Sequence, residues 1–99
     1  MTNNINAITM PKFGLTMEKG SVSAWHIKVG QTVAVGDEIA DIETEKVTTS
    51  YESPIAGTWR RTVASVGEDL PIGSLIGVMA SPEIEDAQID SFIAKFTLT

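Results

Sequence analysis

Apolar and polar residues alternate in short runs along most of the chain. Trp25, Ile27 and Val29 alternate with His26 and Lys28, and Val47, Thr49 and Tyr51 alternate with Thr48 and Ser50. A period of two puts one set on each face of a strand, and the second run is rich in β-branched residues, which suit strands. Residues 58–66 repeat the theme. Glycines, Pro54 and Pro71 break these runs at short intervals, as turns do in an all-β domain. The pattern predicts strands over 38–43 and 47–52. A hairpin turn near 44–47 joins them, with Glu45 and Lys46 at its tip. A type I turn accepts both residues without glycine.

A shift of 37 residues lays the second half of the chain on the first. Gly20 falls on Gly57, Val29 on Val66, Gly30 on Gly67, Val33 on Leu70 and Val35 on Ile72. Gly36 then falls on Gly73, Ile39 on Ile76 and Ile42 on Met79. Both copies read V-G-x-x-[VL]-x-[VI]-G-x-x-I. Two copies predict a pseudo-symmetric domain and not a solenoid. Gly30, Gly36, Gly67 and Gly73 are expected in turns that need positive φ or close backbone approach. Each half buries its apolar face against the other, giving a small flattened barrel or sandwich. Pattern alone does not separate a plain β-sandwich from one with a special site.

The tail changes period. Ser81-Pro82-Glu83 has a cap residue, a first-turn proline and an acid near the positive end of the helix dipole. Ile89, Phe92, Ile93 and Phe96 follow at the spacing of one helical face. The spacing predicts an amphipathic helix over 82–96 that packs on the barrel or faces a following domain. The chain divides into a domain over 8–80 and this tail over 81–99.

Ninety-nine residues suit one domain. Seven basic residues against thirteen acidic give a net charge of −6, which argues against nucleic acid or an anionic membrane as partner. The absence of cysteine excludes disulfides and thiolate metal sites. No apolar run approaches the roughly 20 residues of a membrane span, and residues 1–6 lack the apolar core of a signal peptide. These features together lead to an expected cytoplasmic location.

Lys46 stands where the first repeat hands over to the second. Asp37, Glu38, Asp41, Glu43, Glu45 and Glu52 surround it in sequence. A lysine at a hairpin apex is an accessible amine on a rigid support, which suits a covalent tether. The acids around it suit docking by a basic surface. A solvated turn lysine amid surface charge fits the same residues, and physics alone leaves both readings open.

The residues also resemble a known family. Met10-Pro11-Lys12-Phe13-Gly14-Leu15-Thr16-Met17-Glu18-Lys19-Gly20 is similar to the opening of lipoyl domains from the acyltransferase (E2) subunits of 2-oxo-acid and acetoin dehydrogenase complexes. Gly36-Asp37, then Ile42-Glu43-Thr44-Glu45-Lys46-Val47, resembles their attachment hairpin, and Glu52-Ser53-Pro54 and Ile55-Ala56-Gly57-Thr58 continue the match. The likeness covers residues 8–80. It implies a barrel-sandwich hybrid of two four-stranded antiparallel sheets related by a pseudo-dyad. It implies lipoic acid in amide linkage on Lys46, as a swinging arm. Recognition by a lipoate ligase or lipoyl transferase, or by the thiamine-diphosphate-dependent E1 enzyme, maps onto Glu43, Glu45, Val47, Gly57 and the loop 13–20, with Phe13 and Gly20 at its ends. The implied arm shuttles acyl groups and electrons between E1, the E2 catalytic domain, which uses coenzyme A, and the FAD- and NAD-dependent dihydrolipoamide dehydrogenase (E3). The domain itself, expected to be monomeric, supplies no catalytic residue. One departure is Glu45, where many members have aspartate; the charge is kept.

Glu85-Asp86-Ala87-Gln88-Ile89-Asp90-Ser91-Phe92 resembles the segment after the lipoyl domain in acetoin dehydrogenase E2 subunits. An α/β-hydrolase-type acyltransferase commonly follows there, but no G-x-S-x-G nucleophile elbow is present. The chain is thus expected to be an amino-terminal piece of a longer E2, or a free-standing relative. Pyruvate dehydrogenase E2 is the next candidate. Biotin carriers are similar in fold but flank their lysine with methionine, whereas Glu45 and Val47 flank Lys46. A glycine-cleavage H protein is usually longer, and an unmodified structural module is the remaining option. His26, the only histidine, has no nucleophile signature beside it. The acids lack EF-hand spacing, and Trp25 and Trp59 read as core residues.

Overall fold

In a computed structural model, which describes residues 5–15, 17–45 and 47–98, eight strands precede one helix. The strands are β1 (Ile5–Thr9), β2 (Lys19–Trp25), β3 (Thr32–Val33), β4 (Glu38–Glu43), β5 (Thr48–Glu52), β6 (Gly57–Thr62), β7 (Asp69–Pro71) and β8 (Leu75–Ala80); the helix is α1 (Asp86–Leu98). They build two four-stranded sheets, ordered β1-β8-β6-β3 and β5-β4-β2-β7. All pairings are antiparallel. The expected all-β sandwich with a C-terminal helix is what the chain forms.

The 37-residue offset is a true pseudo-dyad. It carries β4 onto β8 end for end and β2 onto β6 within a residue. Irregularities repeat as well. The bulge between Val22 and Ala24 in β2 recurs between Trp59 and Arg61 in β6. Hydrogen bonds across the dyad come in matched pairs. Gly30 N–H donates to the Trp59 carbonyl at 2.7 Å, and Gly67 N–H donates to the Val22 carbonyl at 2.9 Å. Each half therefore anchors its first turn on the other half's central strand.

The four repeated glycines have φ of 96°, 92°, 87° and 89° at Gly30, Gly36, Gly67 and Gly73, a region that favours glycine. Each is the third residue of a turn closed from the fourth N–H to the first carbonyl: 28–31, 34–37, 65–68 and 71–74. In three of these the fourth side chain also accepts from the first N–H: Gln31 from Lys28, Asp37 from Ala34 and Glu68 from Ser65. Pro71 opens the fourth turn and has no N–H to give.

These turns correct two expected strands. The run through Val29 ends at Trp25, because Val29 is the second residue of the 28–31 turn and stands 63% exposed. The run over 58–66 stops at Thr62, since Val66 fills the matching place in the 65–68 turn.

The main core lies between the sheets. Ile8, Met10, Val22, Val33, Ile39, Ile42, Trp59, Ile76 and Met79 are fully buried there. Trp25, half-buried, packs its ring 5.4 Å from that of Trp59. Both indole N–H groups are satisfied, on the Ala64 carbonyl and the Thr62 hydroxyl.

α1 covers the outer face of β8, whose six residues are all buried. Ile89 packs fully buried against Leu75, Val78 and Ala80, with Phe92, Ile93 and Phe96 beside it. The helical face is the predicted one, and it lies on the barrel. The start is later than predicted, at Asp86 and not 82. Arg60 explains the delay. Its guanidinium donates to the Ser81 and Ile84 carbonyls at 2.6 and 2.7 Å, holding 81–84 as a turn closed from Ile84 N–H to Ser81. The helix then begins on Glu85, whose N–H is capped by the Gln88 side chain at 3.2 Å, one half of a capping box. Among the described residues, no helix is long and apolar enough to cross a membrane.

Candidate functional site

β4 and β5 form a five-rung hairpin from Glu38↔Glu52 to Glu43↔Thr48. Thr44 and Val47 close it. Thr44 N–H donates to the Val47 carbonyl at 2.9 Å. The Thr44 hydroxyl donates to the same carbonyl at 3.2 Å and accepts from Val47 N–H at 3.3 Å. The hydroxyl thus does the work of a further ladder rung, which stiffens the end of the hairpin. Lys46 lies outside the described residues; its chain neighbours Glu45 and Val47 are both exposed.

The two halves differ most beside this hairpin. Nine residues, 10–18, link β1 to β2, whereas four, 53–56, link the equivalent strands β5 and β6. The longer link folds over the hairpin's flank. Together they form an open groove of about 480 Å³, lined by Phe13, Gly14, Met17, Glu18, Lys19, Thr44, Glu45 and Val47. The volume falls in the range of small-molecule sites.

The loop is fixed from within. Phe13 N–H donates to the Met17 sulfur at 3.3 Å, and Met17 N–H donates to the Gly14 carbonyl at 3.2 Å. The Phe13 ring meets Tyr51 edge-on at 6.1 Å, and the Tyr51 hydroxyl donates to the Thr9 carbonyl at 3.2 Å. Burial pushes the Tyr51 phenol above its ordinary value of 10.0. Gly20 sits behind the loop. A Cβ there would stand 3.0 Å from the Met17 methyl and 3.2 Å from Ile42, so the missing side chain lets Met17 lie down.

The structure brings Phe13, Glu45 and Val47 to one groove, with exposed Glu43 on the last rung beneath. It does not bring Gly20 or Gly57 to that surface. Gly20 is buried, and Gly57 opens β6 in the other sheet, paired with Val33 and facing Met79. Met17, inside the loop 13–20 that the likeness pointed to, lines the groove, and Tyr51, read from the sequence only as a strand residue, packs against the Phe13 ring. The loop's extra length relative to 53–56 was the available signal.

The acids spread out along the sheet. Asp41 pairs with His26 at 3.1 Å, Asp37 accepts within its own turn, and Glu38, Glu43, Glu45 and Glu52 are exposed. Among the described residues no three histidine or acidic side chains converge to hold a metal.

Comparison with known proteins agrees with this geometry. The biotin/lipoyl family described as "biotin-requiring enzyme" matches residues 6–79. The dihydrolipoyllysine-residue acetyltransferase component of the acetoin cleaving system of Cupriavidus necator is 47% identical over 90% of this chain. Its counterpart from Pseudomonas putida is 42% identical over 95%. The chain spans about a quarter of the length of these relatives, 24% and 25%. The lipoyl domain of the 2-oxoglutarate dehydrogenase complex of Azotobacter vinelandii superposes with a TM-score of 0.61 at 31% identity, covering 76% of this chain and 95% of that one. With its paired four-stranded sheets, its closed hairpin and these relatives, the chain belongs to the biotin/lipoyl-attachment family, as a lipoyl domain of the E2 acetyltransferase type.

Proposed function

We propose that Lys46 carries lipoate in amide linkage. On this reading the domain is the mobile carrier of a dihydrolipoyllysine-residue acetyltransferase in an acetoin-cleaving complex. The observation that carries the reading is the hairpin clamped by Thr44 and Val47, whose two-residue apex contains the only lysine of the motif Glu43-Thr44-Glu45-Lys46-Val47. When bound, lipoate supplies a ring disulfide able to take up an acyl group and two electrons. The domain's own residues position and present it. The clamp ties Thr44 to Val47 on either side of the apex, and exposed Glu43 and Glu45 offer negative charge to a basic ligase or E1 surface. Tethering raises the local concentration of the arm at successive active sites, with no acid, base or nucleophile needed from the domain. The expected partners are a lipoate ligase, the thiamine-diphosphate E1, the E2 catalytic domain and E3.

The test is an intact mass after expression with lipoate and a lipoate ligase. One lipoyl group on the wild type and none on Lys46→Ala is the expected result. An unmodified wild type, or a lipoyl mass that persists in the variant, refutes attachment at Lys46. Faster reductive acylation by an acetoin E1 than by a pyruvate E1 is expected for the acetoin assignment, and the opposite order overturns it.

A further inference from the structure

We infer that the groove between the 10–18 link and the β4–β5 hairpin is a berth for the dithiolane ring of the Lys46 arm, with Phe13, Met17 and Val47 as its apolar walls. The inference rests on the carrier reading above and adds a resting place to it. Position 46 is bonded to Glu45 and Val47, and both line the groove. An arm leaving from there starts at the rim and needs only to fold back.

The lining suits the ring. Phe13 is 41% exposed and Val47 58% exposed, so two large apolar side chains face open space beside the attachment position. Met17 adds a polarisable sulfur, and sulfur–aromatic contact between ring and Phe13 is favourable. The walls are already in place: Phe13 is held against Tyr51, which is held by Thr9, and Met17 lies in the space left by Gly20. Such pre-organisation lowers the entropy cost of docking. Acylation also changes what position 46 offers. A lysine ammonium is a cation next in sequence to exposed Glu45, whereas an acylated lysine carries no charge and presents an apolar arm. The link that builds one wall is five residues longer than its dyad mate at 53–56, so the berth occurs on the hairpin side alone.

The experiment compares unmodified, octanoylated and lipoylated domain, each verified by intact mass and labelled with ¹³C at the methionine methyls. Lipoylation is expected to shift the Met17 methyl by more than its linewidth and to give cross-peaks from the dithiolane to the Phe13 ring. The Met79 methyl, buried between the sheets, is expected to stay in place. Phe13→Ala, read on protein verified by intact mass to carry one lipoyl group, should lose most of the Met17 shift. A lipoylated domain whose Met17 methyl matches the unmodified form overturns the berth and leaves the carrier reading intact. A domain that gains no lipoyl mass overturns both. An equal shift in the octanoyl form overturns the assignment to the ring.

Discussion

The indole of Trp59 occupies the space into which a side chain on Gly77 would project. At the dyad-related positions stand Val22 and Ala40, both fully buried. One half thus pairs a large residue with none, and the other pairs two of modest size.

Gly77→Ala is expected to cost about 3 kcal/mol by overpacking, and Trp59→Val about 3 kcal/mol by leaving a cavity. The double variant copies Val22 and Ala40 and should recover at least about 1 kcal/mol relative to the sum. Urea unfolding of the four proteins measures this; strict additivity would show that the two sites do not share a space.

Gly20 and Gly57 are sequence mates with unequal surroundings. A Cβ at Gly20 meets Met17 and Ile42 at 3.0 and 3.2 Å, whereas at Gly57 the nearest atom is the Met79 methyl at 3.4 Å. Gly20→Ala should therefore destabilise by about 1–3 kcal/mol and Gly57→Ala by under about 1 kcal/mol. Thermal unfolding gives the order, and equal losses would contradict it.

Arg60, with its side chain 12% exposed, fastens the 81–84 turn through two backbone carbonyls. Arg60→Ala is expected to cost about 1–3 kcal/mol by leaving the carbonyls short of a donor. Hydrogen exchange should quicken in α1 before it does in β4. Lysine lacks the planar fork, so Arg60→Lys should restore little. Asp86, 79% exposed, contributes little to the staple, and Asp86→Asn should change stability by under about 1 kcal/mol.

Tyr51 is the only tyrosine, so phenolate absorbance reports it alone. Its pKa is raised by burial; the folded state keeps the proton after the unfolded chain has lost it. Stability is unaffected by this group below about pH 10 and falls as pH rises from there through the folded value. Tyr51→Phe should remove that alkaline loss. It should also cost about 0.5–1.5 kcal/mol at neutral pH through the missing bond to Thr9. A midpoint at or below that of free tyrosine would refute the burial argument.

Much of this molecule was legible in its residues because the duplication encodes backbone demands directly. Gly30 and Gly67 had to match, since each turn needs the same positive φ. Ile39 and Ile76 had to match, since each fills the same layer of core. Val29 and Val66 were misleading for a related reason: they repeat because a turn position repeats, and both face solvent. The helix began later than predicted because Arg60, more than twenty residues upstream, claims the carbonyls of its would-be first turn. The groove was legible only in its members: the likeness pointed to Phe13, Glu45, Val47 and the loop 13–20, but not to how they meet. Its walls come from segments whose approach depends on Met17 settling over Gly20, a contact that no local pattern announces.

The Glu43↔Thr48 rung and the Ala80↔Ile5 rung hold the same place in their two sheets, each at the end of the edge-strand pair. At one the backbone is closed by Thr44 and Val47; at the other Ala80 runs on into the 81–84 turn that Arg60 holds. The sheet order therefore allows a second hairpin end beside Ala80, which the chain uses instead as the lead into α1. Cutting the chain at the first and joining Ala80 to Ile5 with the same short loop would give a circular permutant of unchanged strand order that lacks α1, in which the opposite half bears the tip and the outer face of β8 is uncovered.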